Sequence, residues 1–187
     1  MKKIYTLTIF IFLSFCGFAQ KDSIKVARKT TTLAEDGKNE IKINLFTTIL
    51  GLGEINYERL LNDNSGVGLA FNFAIDDNID MRLAFIPHYR AYFGGKKANG
   101  FFIEANAAVI SMRESIYTYY NNGNMNGNFY TTVENKNKSN FGLGAAAGGK
   151  FLTKNGLLGE AYLGIGRQFG SNGEFYPRVG ISLGKRF

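Results

Sequence analysis

What is scarce in this 187-residue chain narrows its chemistry first. It has one histidine, His88, and one cysteine, Cys16, so every His-dependent mechanism has to use His88 and no intramolecular disulfide can form. No apolar run reaches the roughly 18 residues that a membrane-spanning helix needs. Two prolines and no tryptophan stand beside 23 glycines, 17 phenylalanines and 10 tyrosines. That balance favours strands joined by Gly/Asn turns over helices. The hydrophobic share, 45%, is that of an ordinary folded domain, and the length fits one domain.

Residues 1–19 read as a cleaved signal peptide. Lys2 and Lys3 form a positive n-region, 4–15 is an apolar h-region, and Gly17-Phe18-Ala19 puts small residues at the two positions a signal peptidase reads. Bulky Phe15 before Cys16 argues against a lipidated cysteine. Cys16 leaves with the signal, so the mature chain is expected to have no thiol for catalysis or metal binding. Loss of Lys2 and Lys3 lowers the formal charge from +7 to +5, a modest basic excess that suits anionic lipid or polysaccharide surfaces. The charges are dispersed and the chain is exported, so nucleic acid is not an expected partner. Residues 20–39 are polar, mixed in charge and aperiodic, and read as a flexible periplasmic leader.

From residue 40 onward apolar residues take alternate positions, the period of a strand with one apolar face. Eight strands are expected, over 40–48, 53–61, 67–75, 81–93, 101–109, 141–151, 157–169 and 175–187. In the third, Val67, Leu69, Phe71, Phe73 and Ile75 alternate with Gly68, Ala70, Asn72 and Ala74. In the last, Phe175, Pro177, Val179, Ile181 and Leu183 alternate with Tyr176, Arg178, Gly180, Ser182 and Gly184. Dense turn signals occupy 62–66, 94–100 and 153–156. The one long connection, 113–140, is centred on the Asn/Gly-rich 121–128, and its β-forming flanks fit a hairpin projecting beyond the sheet. Pro87 has no N–H to give to a ladder, so a bulge or an unpaired position is expected there. Residues 47–52 fit either loop or strand.

No segment carries a helical stripe long enough to cover eight one-sided strands. Their apolar faces need each other, as in a sandwich, or a bilayer. The opposite faces favour the bilayer: they carry Lys42, Glu54, Glu58, Arg82, Arg90, Glu104, Lys150, Glu160 and Arg178, with His88, several asparagines and many glycines. A solvated sandwich face would hold long polar side chains where this one has Gly and Ala, whereas a narrow eight-stranded lumen needs small residues opposite large ones. Five cations and four anions nearly cancel there, which suits an interior ion-pair network, since an unpaired buried charge costs about 3–5 kcal/mol.

Connection lengths agree with this arrangement. With the first strand rising from the periplasm, the three short turns fall on the periplasmic side and the long loop outside. Aromatics gather into two girdles, Tyr57, Tyr89, Phe93, Phe101, Phe151 and Phe187 low, Phe141, Phe169 and Phe175 high. Arg59 and Arg167 fall on the lipid parity, near strand ends where they can snorkel. The expected fold class is all-β, an eight-stranded antiparallel transmembrane β-barrel of the outer-membrane type over residues 40–187.

His88 is followed by Tyr89 and Arg90, with no serine at a spacing that pairs a nucleophile with its base, so it reads as a structural luminal histidine. Glu54, Glu58, Glu104 and Glu160 have acid/base chemistry, but ion pairing with the interior Arg and Lys accounts for them. Asp76, Asp77 and Asp80 lack the spacing of a calcium loop and read as a solvated turn. Gly142-x-Gly144 and Gly164-x-Gly166 lie inside strands with no helix after them, so they are not dinucleotide fingerprints. No cofactor and no metal is expected. Tyr117, Tyr119, Tyr120 and Tyr130 flank the long loop and are the candidate surface-binding residues, since tyrosine offers contact area beside adaptable Asn. The alternative for them is an ordinary solvated loop.

Two stretches, KINLFTTILGLGEINYERLLNDNSGVGLAF (42–71) and IPHYRAYFGGKKANGFFIEANAAV (86–109), carry a further signal. Their most specific pieces are Tyr57-Glu58-Arg59 and the Tyr-Arg, Tyr-Phe-Gly and Gly-Phe-Phe groups within 89–102. They resemble an uncharacterised family of small outer-membrane barrels from Bacteroidota-type bacteria (domain of unknown function 3575). The resemblance implies an outer-membrane barrel and brings no catalytic residue, since that family has no established activity. The closing run, Val179, Ile181, Leu183 and Phe187, is similar to the terminal-aromatic assembly signal of bacterial outer-membrane barrels, which implies recognition by the barrel-assembly machinery. The expected role is structural or surface-interacting, without catalysis, in contact with outer-membrane lipid and lipopolysaccharide. A narrow pore for small solutes is the second reading, and a lipid A-modifying enzyme using His88 the third.

Overall fold

The computed structural model describes residues 37–121, 129–169 and 175–187, except for the side chains of 115–121 and 129–135. The expected signal peptide and leader residues 20–36 lie outside the described residues. Eight strands follow one another: β1 Asn39–Asn44, β2 Leu52–Asn62, β3 Ser65–Ala74, β4 Met81–Tyr92, β5 Gly100–Asn121, β6 Phe129–Leu152, β7 Leu157–Phe169 and β8 Phe175–Arg186, with a short helix α1, Leu45–Ile49, after β1. Each strand pairs antiparallel with the next, and β8 returns to pair with β1 from Glu40↔Arg186 to Asn44↔Ser182, closing a barrel. The fold is therefore an eight-stranded antiparallel β-barrel.

Period-two alternation places the side chains. Ile41, Tyr57, Leu69, Phe85, Ile103, Leu163, Ile181 and their apolar neighbours point outward, with Leu163 still 72% exposed, while Lys42, Glu58, Arg90 and Glu104 point inward with no exposure at all. This inverts the arrangement of a water-soluble domain, where charged side chains are almost never fully buried unless paired. All nine expected girdle aromatics lie on the outer face. Phe141 and Phe169 oppose each other on β6 and β7 with their rings stacked 6.1 Å apart, and Phe93 lies 5.9 Å from Phe101 at the other end.

The turns at 63–64, 93–99 and 153–156 share one end of the barrel with residue 38 and Phe187, whose main chains are hydrogen-bonded together. At this terminal end the 93–99 turn tucks beneath the lumen. Ala98 is fully buried, its N–H reaches Asp63 O at 2.6 Å, and its carbonyl accepts from Arg186 Nη2 at 2.9 Å. The opposite end carries α1, the 75–80 turn and the β5–β6 ribbon.

One expectation changes and two are made specific. The strand expected over 40–48 stops at Asn44, because the Asn44 side chain takes the N-cap of α1, accepting from Thr47 N at 3.4 Å while its carbonyl accepts from Thr48 Oγ1 at 2.7 Å. Residues 113–121 and 129–140, the long connection with flanks expected to form a projecting hairpin, continue β5 and β6 as such a hairpin, paired in one register from Gly100↔Lys150 to Asn121↔Phe129. At Pro87 the expected unpaired position is found, without a bulge: the β4–β5 ladder lapses at Ile86 and Pro87 and resumes in the same register at His88↔Asn106.

Candidate functional site

The luminal charges form one connected network along the barrel axis. Five carboxylates (Glu40, Glu54, Glu58, Glu104, Glu160) and five cations (Lys42, Arg90, Lys150, Arg178, Arg186) are buried, so the charge cancels. Nearest the terminal end, Arg186 donates to Glu40 Oε1 from Nε at 2.9 Å and Nη2 at 2.6 Å, and Lys150 Nζ donates to Glu40 Oε2 at 2.6 Å. In the middle tier, Glu58 Oε2 accepts from Lys42 at 2.6 Å, Lys150 at 3.1 Å and Arg90 Nη1 at 3.2 Å. The Tyr92 hydroxyl donates to Glu58 Oε1 and accepts from Lys150 Nζ. Glu160 Oε2 accepts from Arg90 Nη1 at 2.8 Å and Lys42 at 3.1 Å.

Above this, Glu104 joins Arg90 Nε at 2.8 Å to Arg178 Nε at 2.9 Å. Glu54 Oε1 accepts from Arg178 Nη1 at 2.8 Å and the Tyr162 hydroxyl at 2.9 Å, and its other oxygen from Asn44 and Asn72. Aromatic faces complete the packing: the Arg90 guanidinium lies 4.5 Å from the Phe102 ring centre, and that of Arg178 4.8 Å from Tyr162. Small residues on neighbouring strands make the room. A methyl group on Gly166 would collide with the Tyr176 ring, and one on Gly180 with Tyr162.

The expected luminal residues Lys42, Glu54, Glu58, Arg90, Glu104, Lys150, Glu160 and Arg178 lie in this network. Arg82 does not. It has the inward parity but sits at the start of β4, where Nη1 pairs with the exposed Asp77 carboxylate at 3.3 Å and Nη2 donates to Asp77 O at 3.1 Å. His88 lines the lumen beside the network, its Nδ1 3.2 Å from Ile86 O. Among the described residues no group is within hydrogen-bond distance of its Nε2, which packs where a Gly68 side chain would otherwise be.

Glu40, Arg186, Tyr92 and Tyr162 were not foreseen as network members, though Glu40 shares the parity of Lys42 and Arg186 that of Arg178. Their signal was inward parity at the ends of the strands expected over 40–48 and 175–187. The tyrosines were hidden among many others. Asp76 Oδ1 accepts from the N–H and Nδ2 of Asn78 at 2.9 and 2.8 Å, an Asx turn. Ile181, Leu183 and Phe187 are more than half exposed on the outer face, Val179 shares that parity but is half-buried, and the Phe187 carbonyl accepts from Asn39 N at 2.9 Å. The side chains of Tyr117, Tyr119, Tyr120 and Tyr130 lie outside the described residues.

Water has no access to Lys42, Glu58, Arg90, Lys150 or Glu160, whose side chains are all 0% exposed. This tier is a solid plug. It neutralises charge, and together with the tiers on either side it ties all eight strands from within, β3 through Asn72, which donates to Glu54 at 3.3 Å. No family model and no curated protein sequence matches the chain. Among solved structures, the N-terminal β-barrel domain of Pseudomonas aeruginosa OprF is similar over 80% of this chain and 96% of that domain, with 13% identity and a TM-score of 0.43.

Proposed function

We propose that this chain is a bacterial outer-membrane β-barrel with a structural or surface-interaction role and no catalysis. One observation carries the reading: the barrel's outer wall is a largely apolar surface with aromatics toward both ends and its exposed cations Arg59, Arg167 and Lys185 near strand ends, while ten paired charges fill its interior. An exposed apolar surface of that extent calls for a partner or a membrane, and an encircling band with aromatic girdles matches the hydrocarbon layer of a bilayer. In this reading residues 1–19 are the export signal, and the Phe187 terminus, with Val179, Ile181 and Leu183, is what the barrel-assembly machinery recognises. The family resemblance over 42–71 and 86–109 belongs to the same proposal.

The plug at Lys42, Glu58, Arg90, Lys150 and Glu160 argues against the pore. His88 argues against the enzyme, because its buried Nε2 faces a glycine instead of a hydroxyl. The mature protein, refolded from urea into detergent, tests the proposal. A folded barrel migrates differently on a gel before and after boiling; unchanged mobility together with solubility in plain buffer would sink the membrane reading. In planar bilayers the folded protein is expected to give no conductance steps, and steady steps would favour a pore.

A further inference from the structure

The barrel wall has a seam. β1 ends at Asn44, opposite Ser182, but β8 begins at Phe175 and β2 at Leu52, so the far-end half of β8 has no β1 beside it. The Asn44 side chain continues the ladder one step in place of backbone: Nδ2 donates to Val179 O at 3.1 Å and Oδ1 accepts from Ile181 N at 3.2 Å. By antiparallel alternation Pro177 presents its main chain to the same free edge, and having no N–H it leaves no donor unpaired there.

A cavity of about 240 Å³ lies along this edge, bordered by every residue from 175 to 179 and, across the seam, by Leu52 and Glu54. Successive strand residues point to opposite faces, so only the edge of β8 brings all five to one space. Thr47 of α1 borders it too, while Phe46 lies on the outer wall near Val179 and Ile181. The lining exposed to the surroundings is Leu50, Phe175 and Pro177, which marks the mouth.

Inside, Met81, Ile86, Ile110 and Met112 form an apolar wall above a polar floor. Three residues bordering the cavity, Asn72, Gln168 and Arg178, are more than nine-tenths buried. Among the described residues Asn72 Oδ1, Gln168 Oε1 and Arg178 Nη2 have no hydrogen-bond partner. Buried polar atoms are normally paired, so two acceptors and one donor are left for a ligand. Arg178 is already neutralised by Glu54 at 2.8 Å and Glu104 at 2.9 Å, and Glu54 itself borders the cavity, which disfavours an anion. The volume is below the roughly 300–1,000 Å³ of a site for a drug-sized ligand.

We propose that this cavity is a binding site for a small neutral amphiphile, an aliphatic chain with a hydroxyl or amide head, that enters head first through the seam between β8 and β2. Its head donates to Asn72 or Gln168 and accepts from Arg178, and its chain lies against the two methionines. Entry from the bilayer rests on the membrane reading above; the cavity and its unpaired groups do not.

The test uses the refolded mature chain in phosphatidylcholine nanodiscs with ¹³C-methyl methionine, the Met81 and Met112 signals being assigned by M81L and M112L. Titration with 1-octanol is expected to shift both signals saturably, and octanoate to bind at least roughly tenfold more weakly, because the floor offers it no free cation. Q168L, which removes one acceptor, is expected to weaken octanol several-fold, and I110W, which fills the cavity, to abolish saturation. Shifts that grow linearly with octanol, or octanoate binding as tightly as octanol, would overturn the proposal. Both outcomes are read on the unsubstituted protein and stand whether or not I110W folds. Failure of the membrane reading shows separately, as unchanged gel mobility on boiling.

Discussion

Arg186, the last residue of β8, directs two donors onto one carboxylate oxygen of Glu40 on β1, and Lys150 of β6 holds the other oxygen at 2.6 Å. The strands that close the barrel are thus joined from inside as well as by their ladder. Glu40→Ala would leave two buried cations without this partner, and the expected cost is about 3–5 kcal/mol. It is measured as a lower urea midpoint in lipid vesicles at unchanged m-value. A change below about 1 kcal/mol, the level of a surface pair, would show that closure does not depend on this contact.

Arg90 and Arg82 share a strand and a parity, yet they should respond differently. Arg90 pairs with Glu58, Glu104 and Glu160 in the dry interior, so Arg90→Ala is expected to destabilise by at least about 3 kcal/mol. Arg82 faces an Asp77 carboxylate that is 99% exposed, so Arg82→Ala is expected to cost less than about 1 kcal/mol. Equal losses in the same unfolding assay would contradict the placement of Arg82 outside the network.

Small-against-large packing predicts a rescue. Gly166→Ala drives a methyl group into the Tyr176 ring, at an expected cost of about 1–3 kcal/mol. Adding Tyr176→Ala frees the space, so the double variant should lose clearly less than the sum of the single losses. Strict additivity in a double-mutant cycle would mean that the two sites do not meet.

Leu163 lies on the outer wall, 72% exposed. Leu163→Arg is expected to cost about 2–4 kcal/mol in a bilayer if it sits near the midplane, and close to nothing if water covers that wall. Comparing unfolding of the two proteins in phosphatidylcholine vesicles separates these cases. The same substitution at Leu157, beside the terminal-end turn, should cost less because the side chain can snorkel.

Much of the barrel was legible in the chain. The strand expected over 157–169 is β7, residue for residue, and the inward parity of Lys42, Glu58, Arg90 and Arg178 follows from alternation alone. Less legible was where β1 ends. Ile43 and Leu45 continue the alternation, and nothing local shows that the Asn44 side chain will bond to Val179 and Ile181 and cap a helix as well. The β-forming flanks of the 113–140 connection pointed to a projecting hairpin, but the polar run of Asn, Ser and Lys over 135–140 hid its continuity with the barrel strands, which the single register from Gly100↔Lys150 shows.

Sequence by itself determined which face of each strand is apolar, because successive Cβ atoms point to opposite sides of a strand whatever surrounds it. Closure into a barrel decided the rest. Strand stagger sets the height at which each inward side chain enters the lumen, and only that height brings Arg186 to Glu40, keeps Arg82 from Glu104, and leaves a seam beside Pro177 where β1 has ended.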